Sequence, residues 1–241
     1  MKSAFLARAA LATALFAVPS LASAATTYGF ASGYGSSVFQ YGSGINGTAN
    51  FTAFPSVYAG GCAGQANLAC MTVSGNGLGV EDLLAVGVDT GATPVNAYTV
   101  TIPTNTLFMH PGAGLASDSI VRFIAPTTST YTLNGMVSRL DNTNNGNGVL
   151  YSLFVNGAPV LTGTGSLLPG AGPFAVTYTG ALKAGDVLSF GVNNNGDVFY
   201  DSTGLSGSIS AVPEPATWGL MILGIGMVGL GLRRRSRPAI A

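Results

Sequence analysis

The chain has 241 residues, with nine Lys and Arg against nine Asp and Glu, so its formal charge is zero. Six of those cations lie near the ends, at Lys2, Arg8, Arg233, Arg234, Arg235 and Arg237, leaving only Arg122, Arg139 and Lys183 in a net-negative interior. No Lys or Arg occurs between Ala25 and Val121, which excludes nucleic acid and anionic lipid as partners of this part, because both are held by clustered cations.

Residues 1–24 predict a secretory signal peptide. Lys2 and Arg8 supply the positive start, Ala9 to Val18 is apolar, Pro19 breaks the run, and Ala22-Ser23-Ala24 is a small-x-small site for signal peptidase. The apolar run is too short for a bilayer helix. From Ala25 to about Gly91 the chain is rich in Gly, Ser, Ala and Asn, and strand signals are short: Phe51 to Phe54, Met71 to Val73 and Leu83 to Val88. Gly42-Ser43-Gly44-Ile45-Asn46-Gly47 formally matches Gly-x-Gly-x-x-Gly. It lacks the preceding strand, the following helix and basic surroundings, so it reads as a flexible loop. Cys62 and Cys70 enclose a short Gly/Ala/Asn loop, which in an exported chain predicts a disulfide.

From Tyr98 onward strands are better marked. Tyr98 to Ile102, Ile120 to Ile124, and Thr130 on through Val137 are apolar and β-branched, the first two ending at Pro103 and near Pro126. Tyr151, Leu153 and Val155 share a face, and the Asn156-Gly157 that follows is a strong hairpin signal because both residues tolerate positive φ. Leu188, Phe190 and Val192 alternate into Asn193-Asn194-Asn195-Gly196, and Val198 to Tyr200 and Leu205 to Ile209 close the series. No stretch from 25 to 211 carries a capped helical period. The expectation for residues 25–211 is therefore an all-β domain, an antiparallel β-sandwich or jelly roll.

Residues 212–241 form a separate segment. Val212-Pro213-Glu214-Pro215 precedes 17 mostly apolar residues from Ala216 to Leu232, then Arg233-Arg234-Arg235. That length is at the lower end of a transmembrane helix, with Trp218 at one interface and the arginines on the cytoplasmic side. The combination of Pro213-Glu214-Pro215, Trp218, the apolar run and the arginine cluster resembles the PEP-CTERM sorting signal, departing from one subtype only in having Gly219 after the Trp. The resemblance implies cleavage near Pro-Glu-Pro by an exosortase-type transpeptidase. It also implies anchoring in the inner membrane in transit, delivery to the cell surface, outer envelope or extracellular matrix, and a host that makes exopolysaccharide. A second resemblance is carried by His110-Pro111-Gly112, Val121 to Pro126, Thr130-Tyr131, Asn156-Gly157, Leu182 to Asp186 and Tyr200 to Gly204. These are similar to a β-sandwich domain common among PEP-CTERM proteins, whose members look like carbohydrate-binding jelly rolls.

Catalytic groupings are not recognisable. His110 is the only histidine, so a Ser-His-Asp triad depends on it, and its place before Pro-Gly reads as a turn. No Gly-x-Ser-x-Gly occurs, and nothing singles out a carboxylate pair among Glu81, Asp82, Asp89, Asp118, Asp141, Asp186, Asp197 and Asp201. The chain is read as a non-enzyme, and no cofactor or metal is assigned. Asp141 to Asn145 and Asn193 to Asp197, with Asp201, offer hard oxygens that suit calcium, but they lack EF-hand spacing and serve equally as turns. The single Trp is in the tail; Tyr28, Tyr34, Tyr41 and Tyr58 are the candidates for sugar stacking, or else core residues. The functional expectation is a structural or glycan-adhesive component of an exopolysaccharide or biofilm matrix. The alternative is a surface hydrolase acting on matrix polysaccharide.

Overall fold

Along Ser129–Arg139 the inward positions fall at Tyr131, Leu133, Gly135 and Val137, the period of two that a strand imposes. The same rule organises the rest of the chain. The structure is a computed structural model and describes residues 25–55, 57, 61–72, 84–114, 117–160, 165–212 and 223–228. Its strands are β1 Thr26–Gly29, β2 Phe39–Gly44, β3 Phe51–Ala53, β4 Leu68–Thr72, β5 Ala85–Asp89 and β6 Val95–Ala97. They continue with β7 Val100–Ile102, β8 Thr106–His110, β9 Asp118–Ile124, β10 Ser129–Arg139 and β11 Val149–Val155. The last five are β12 Ala158–Pro159, β13 Gly165–Leu167, β14 Phe174–Leu182, β15 Val187–Asn193 and β16 Thr203–Val212.

These strands form two seven-stranded antiparallel sheets, the all-β sandwich expected. The first runs β14-β10-β16-β8-β5-β4, with β1 also on β16; the second runs β12-β11-β15-β9-β2-β3, with β13 on β11. One core joins their facing sides, with Leu107, Tyr131, Leu133, Val176 and Leu205 from the first and Tyr41, Phe123, Leu153, Phe190 and Val192 from the second. Phe123 meets Tyr131 edge-on at 5.4 Å between ring centroids, a favoured aromatic geometry across the two sheets.

A third, smaller layer positions the site. The hairpin β6–β7 lies over the outer side of the first sheet, where Val95 and Ile102 join Cys62, Leu68, Cys70, Ala85, Phe108 and Leu140 in a second apolar cluster. This cover explains why β5 and β8 are buried at every residue instead of alternately. Cys62 and Cys70 form the expected disulfide, their Cα atoms 5.8 Å apart, and it sits inside this cluster.

Asn156 (φ 48°) and Gly157 (φ 82°) both adopt the left-handed region and turn β11 into β12, as the hairpin signal foretold. Other expectations are corrected. Tyr98 has φ 52° and makes the turn of β6–β7, so the strand begins at Val100 instead of Tyr98. Val198 to Tyr200 is not a strand either: Tyr200 has φ 64° and Phe199 and Tyr200 face solvent, because this stretch turns the chain into β16. Gly42 to Gly44, read as loop, belongs to β2 and is buried against β9 and β3. His110 is the last residue of β8 instead of a turn residue, and its ring is bonded locally, with Nδ1 2.8 Å from the Pro111 carbonyl.

The chain divides into two compact units, 25–213 and a second made of 1–24 with 214–241. In the second, residues 223–228 are helical. No helix among the described residues is long and apolar enough to cross a membrane. The expected signal peptide, and Pro213, Glu214, Pro215, Trp218, Arg233, Arg234 and Arg235, lie outside the described residues.

Candidate binding site

A cleft of about 270 Å³ opens where the β6–β7 hairpin, the outer side of the first sheet and the 198–202 segment meet. Its floor is apolar, from Leu68, Ile102 and Phe108, with His110 beside them. Phe108 and His110 point here because they alternate with Leu107 and Met109, which face the main core. Tyr98 stands at one rim, 80% exposed at the hairpin tip, and Phe199 and Tyr200, 49% and 38% exposed, form the other.

Asp141 ties the two rims together. Its Oδ1 accepts from Thr99 Oγ1 at 3.0 Å and its Oδ2 accepts from the Ser202 amide at 2.9 Å. Asn142 reinforces the hairpin, its amide donating to Thr99 O at 2.7 Å and its Nδ2 to Thr101 Oγ1 at 2.9 Å. Burial raises the Asp141 pKa, and its donors and Arg139 only partly offset this. With both oxygens occupied, Asp141 acts as a clamp that sets the width of the cleft.

The two Asn/Asp loops meet at the same end of the sandwich. Asn147 Nδ2 donates to Asn195 O at 2.7 Å and Asn195 Nδ2 returns a bond to Asn147 O at 3.2 Å. No group of three His, Cys, Asp or Glu side chains placed to hold a metal occurs among the described residues. Asp118 is committed elsewhere, accepting from the Asn46 amide at 2.9 Å and from Asn193 Nδ2 at 2.7 Å.

Of the tyrosines that the sequence offers either for sugar stacking or as core residues, Tyr28, Tyr34 and Tyr41 take the core role. Tyr41 is 3% exposed and its ring lies 5.0 Å from that of Tyr34, while Tyr28 packs on Phe123 at 5.2 Å. All three belong to or line the main core, and Tyr58 lies outside the described residues. The exposed aromatics at the cleft, Tyr98, Phe199 and Tyr200, were not singled out from the sequence. Their signal was an aromatic ring within a turn, where the chain has no neighbouring strand to bury it.

Residues 211–235 match the family model described as the PEP-CTERM protein-sorting motif. The chain carries a PEP-CTERM sorting motif. The match begins at the end of β16 and includes Pro213, Glu214, Pro215, Trp218 and Arg233 to Arg235. A PEP-CTERM motif implies export, membrane passage in transit, processing by an exosortase and sorting to the cell surface. No curated protein matches the sequence. Among solved structures, CBM51 from Clostridium perfringens GH95 in complex with methyl-galactose is similar at 12% identity and TM-score 0.34, covering 49% of this chain and 77% of that one. A family 35 carbohydrate binding module from an environmental isolate is similar at 14% identity and TM-score 0.28, covering 52% and 77%. Rabbit GITRL is similar at 14% and TM-score 0.27, covering 39% and 74%. These overlaps are partial and below a TM-score of 0.5, so the reading of the cleft rests on its own residues.

Proposed function

We propose that the exported sandwich is a glycan-adhesive component of the cell surface or its exopolysaccharide matrix, and that it grips sugar in the cleft between Tyr98 and the Phe199–Tyr200 rim. The observation that carries this reading is three exposed aromatic rings around one apolar floor, held apart by the Asp141 clamp. Aromatic rings offer flat apolar faces with little rotamer entropy to lose, and Tyr adds a hydroxyl that stays wet. The cleft is close to the lower bound of roughly 300 Å³ for small-molecule sites, a size for one end or one unit of a polymer and not a long groove. Among the described residues Asp141 is the single carboxylate lining it, so no observation favours the hydrolase reading over this one.

The reading includes the path to the surface. Signal peptidase cleaves after Ala24, residues 216–232 span the inner membrane in transit, and an exosortase-type transpeptidase cuts near Pro213-Glu214-Pro215. The residues between form the delivered domain.

The test is binding of the full-length chain, solubilised in detergent, to the host's own exopolysaccharide. Saturable binding is expected, and Tyr98→Ala should weaken it about tenfold, equivalent to about 1.4 kcal/mol. The exposed position of Tyr98 makes loss of fold a poor explanation for that result. Absence of binding, or an unchanged affinity in Tyr98→Ala, overturns the assignment to this cleft.

A further inference from the structure

Asp201 is 1% exposed, and neither of its carboxylate oxygens has a hydrogen-bond partner. In the chain it lies between the 193–197 turn and β16. Loop 141–147 meets this segment through Asp141, which accepts from the Ser202 amide, and through Asn147, which is paired with Asn195. Two neutral oxygens of that loop, Thr143 Oγ1 and Asn147 Oδ1, are also buried without a partner. Gly146 packs so tightly here that an added Cβ would stand 2.7 Å from Phe199 O and 3.2 Å from Tyr200 Cβ. The local charge is unbalanced. Asp197 and Asp141 act on Asp201 with like charge, and Arg139 alone opposes them. Arg139 is also engaged by Asn145 O through Nη2, while its Nε and Nη1 have no partner.

A buried carboxylate without donors costs several kcal/mol unless a proton or a cation neutralises it. The orphaned acceptors are all hard oxygens, with neither thiol nor imidazole among them. Such a set suits calcium, which takes carboxylate, amide, hydroxyl, backbone and water oxygens in a flexible shell, better than zinc, which takes nitrogen and sulfur. Magnesium demands stricter octahedral geometry than two loops of mixed neutral oxygens supply.

We propose that the interlocked loops 141–147 and 193–201 form a calcium site centred on the Asp201 carboxylate, with Asn147 Oδ1 and Thr143 Oγ1 as neutral ligands. One central carboxylate and a nearby guanidinium set a weak affinity, on the order of 10⁻⁴ to 10⁻³ M, the range of extracellular modules. The site lies behind the Phe199–Tyr200 rim, but it is inferred from its own oxygens and stands whether or not the cleft binds sugar.

The experiment is titration of the full-length chain in detergent with calcium alone, read by calorimetry and by terbium luminescence sensitised by nearby tyrosine. One ion per chain in the affinity range above is expected, with magnesium binding at least tenfold weaker. Asp201→Asn should reduce calcium affinity at least tenfold. Asn147→Ala, which keeps every charge, should reduce it severalfold and serves if Asp201→Asn fails to fold. Absence of saturable uptake, or uptake unchanged by both substitutions, overturns the proposal and leaves a proton on Asp201 as the neutralising partner.

Discussion

At Asp201, burial and like charge act in the same direction. Removal from water, then Asp197 and Asp141, push its pKa from 3.8 up to about 8, with Arg139 opposing. The folded chain therefore holds a proton that the unfolded chain has already released between about pH 4 and 8. Stability from this group is fully present below the unfolded value and is lost as pH rises through the folded one. With calcium removed by a chelator, the melting temperature should fall steadily between pH 5 and 8, and Asp201→Asn should flatten that slope. A wild-type profile that is flat or rises over this window would contradict the burial of an unpaired carboxyl. Residue identity alone did not show which side of the sheet a ring would face. Tyr41 entered the core because it is two residues from Phe39 on one strand. Tyr98 was read as strand from its alternation with Val100 and Ile102, but its left-handed backbone turns it outward.

β16 shows how one element serves several neighbours. Along one edge it pairs with β10 over its whole length; along the other, Thr203 to Ser206 pair with β8 and Ser208 to Ala211 with β1. Gly207 makes the change of partner, with φ 110° and its carbonyl accepting from the Phe30 amide at 3.0 Å. A side chain here would run into the backbone of Asn134 and sit in a conformation that L residues rarely adopt. Gly207→Val should cost about 2 kcal/mol or more in urea denaturation, while the same change at exposed Gly172, which has open space around it, should cost far less. Equal costs would mean that the backbone at Gly207 is not a constraint. Strands such as β10 and β11 were legible because one face is buried and the alternation survives in the sequence. β15 was legible although it is buried on both sides, because Ser189 and Gly191 alternate with Leu188, Phe190 and Val192. β8, as Thr-Leu-Phe-Met-His, was hidden by being covered on both sides, which erases the period. β2 was hidden by its Gly and Ser, which carry little strand propensity. The cleft had no local signature, since its walls come from residues 68, 97–100, 102, 108, 110, 141, 198–200 and 202 and meet only through register, as in the bridge between Val100 and Asp141.

At the scale of the whole molecule, the termini of the sandwich are neighbours, because Thr26 pairs with Ala211. Both proposed cleavages therefore fall at the same end of the unit that spans 25–213. Protein recovered from the native host should have an intact mass that lacks residues 1–24 and everything after the Pro-Glu-Pro motif. A mass that retains Trp218 to Ala241 would make the tail a permanent anchor and remove the exosortase step. The sorting motif at 211–235 was readable because targeting machinery recognises short linear patterns. The aromatic rim of the cleft was not, because it exists only after two distant turns are brought together.

β16 begins beside the cleft at Thr203 and ends at Val212, where the sorting segment starts. Its ten residues make a strut of roughly 33 Å between the two. A polymer pulling on the rim and an attachment at the processed C-terminus would load this strand along its axis. Its ladders to β10, β8 and β1 would then be strained together in shear, not opened one bond at a time like a zipper. If the rim holds sugar, it and the C-terminal attachment would share one line of tension through the middle of a sheet, an arrangement suited to holding against flow.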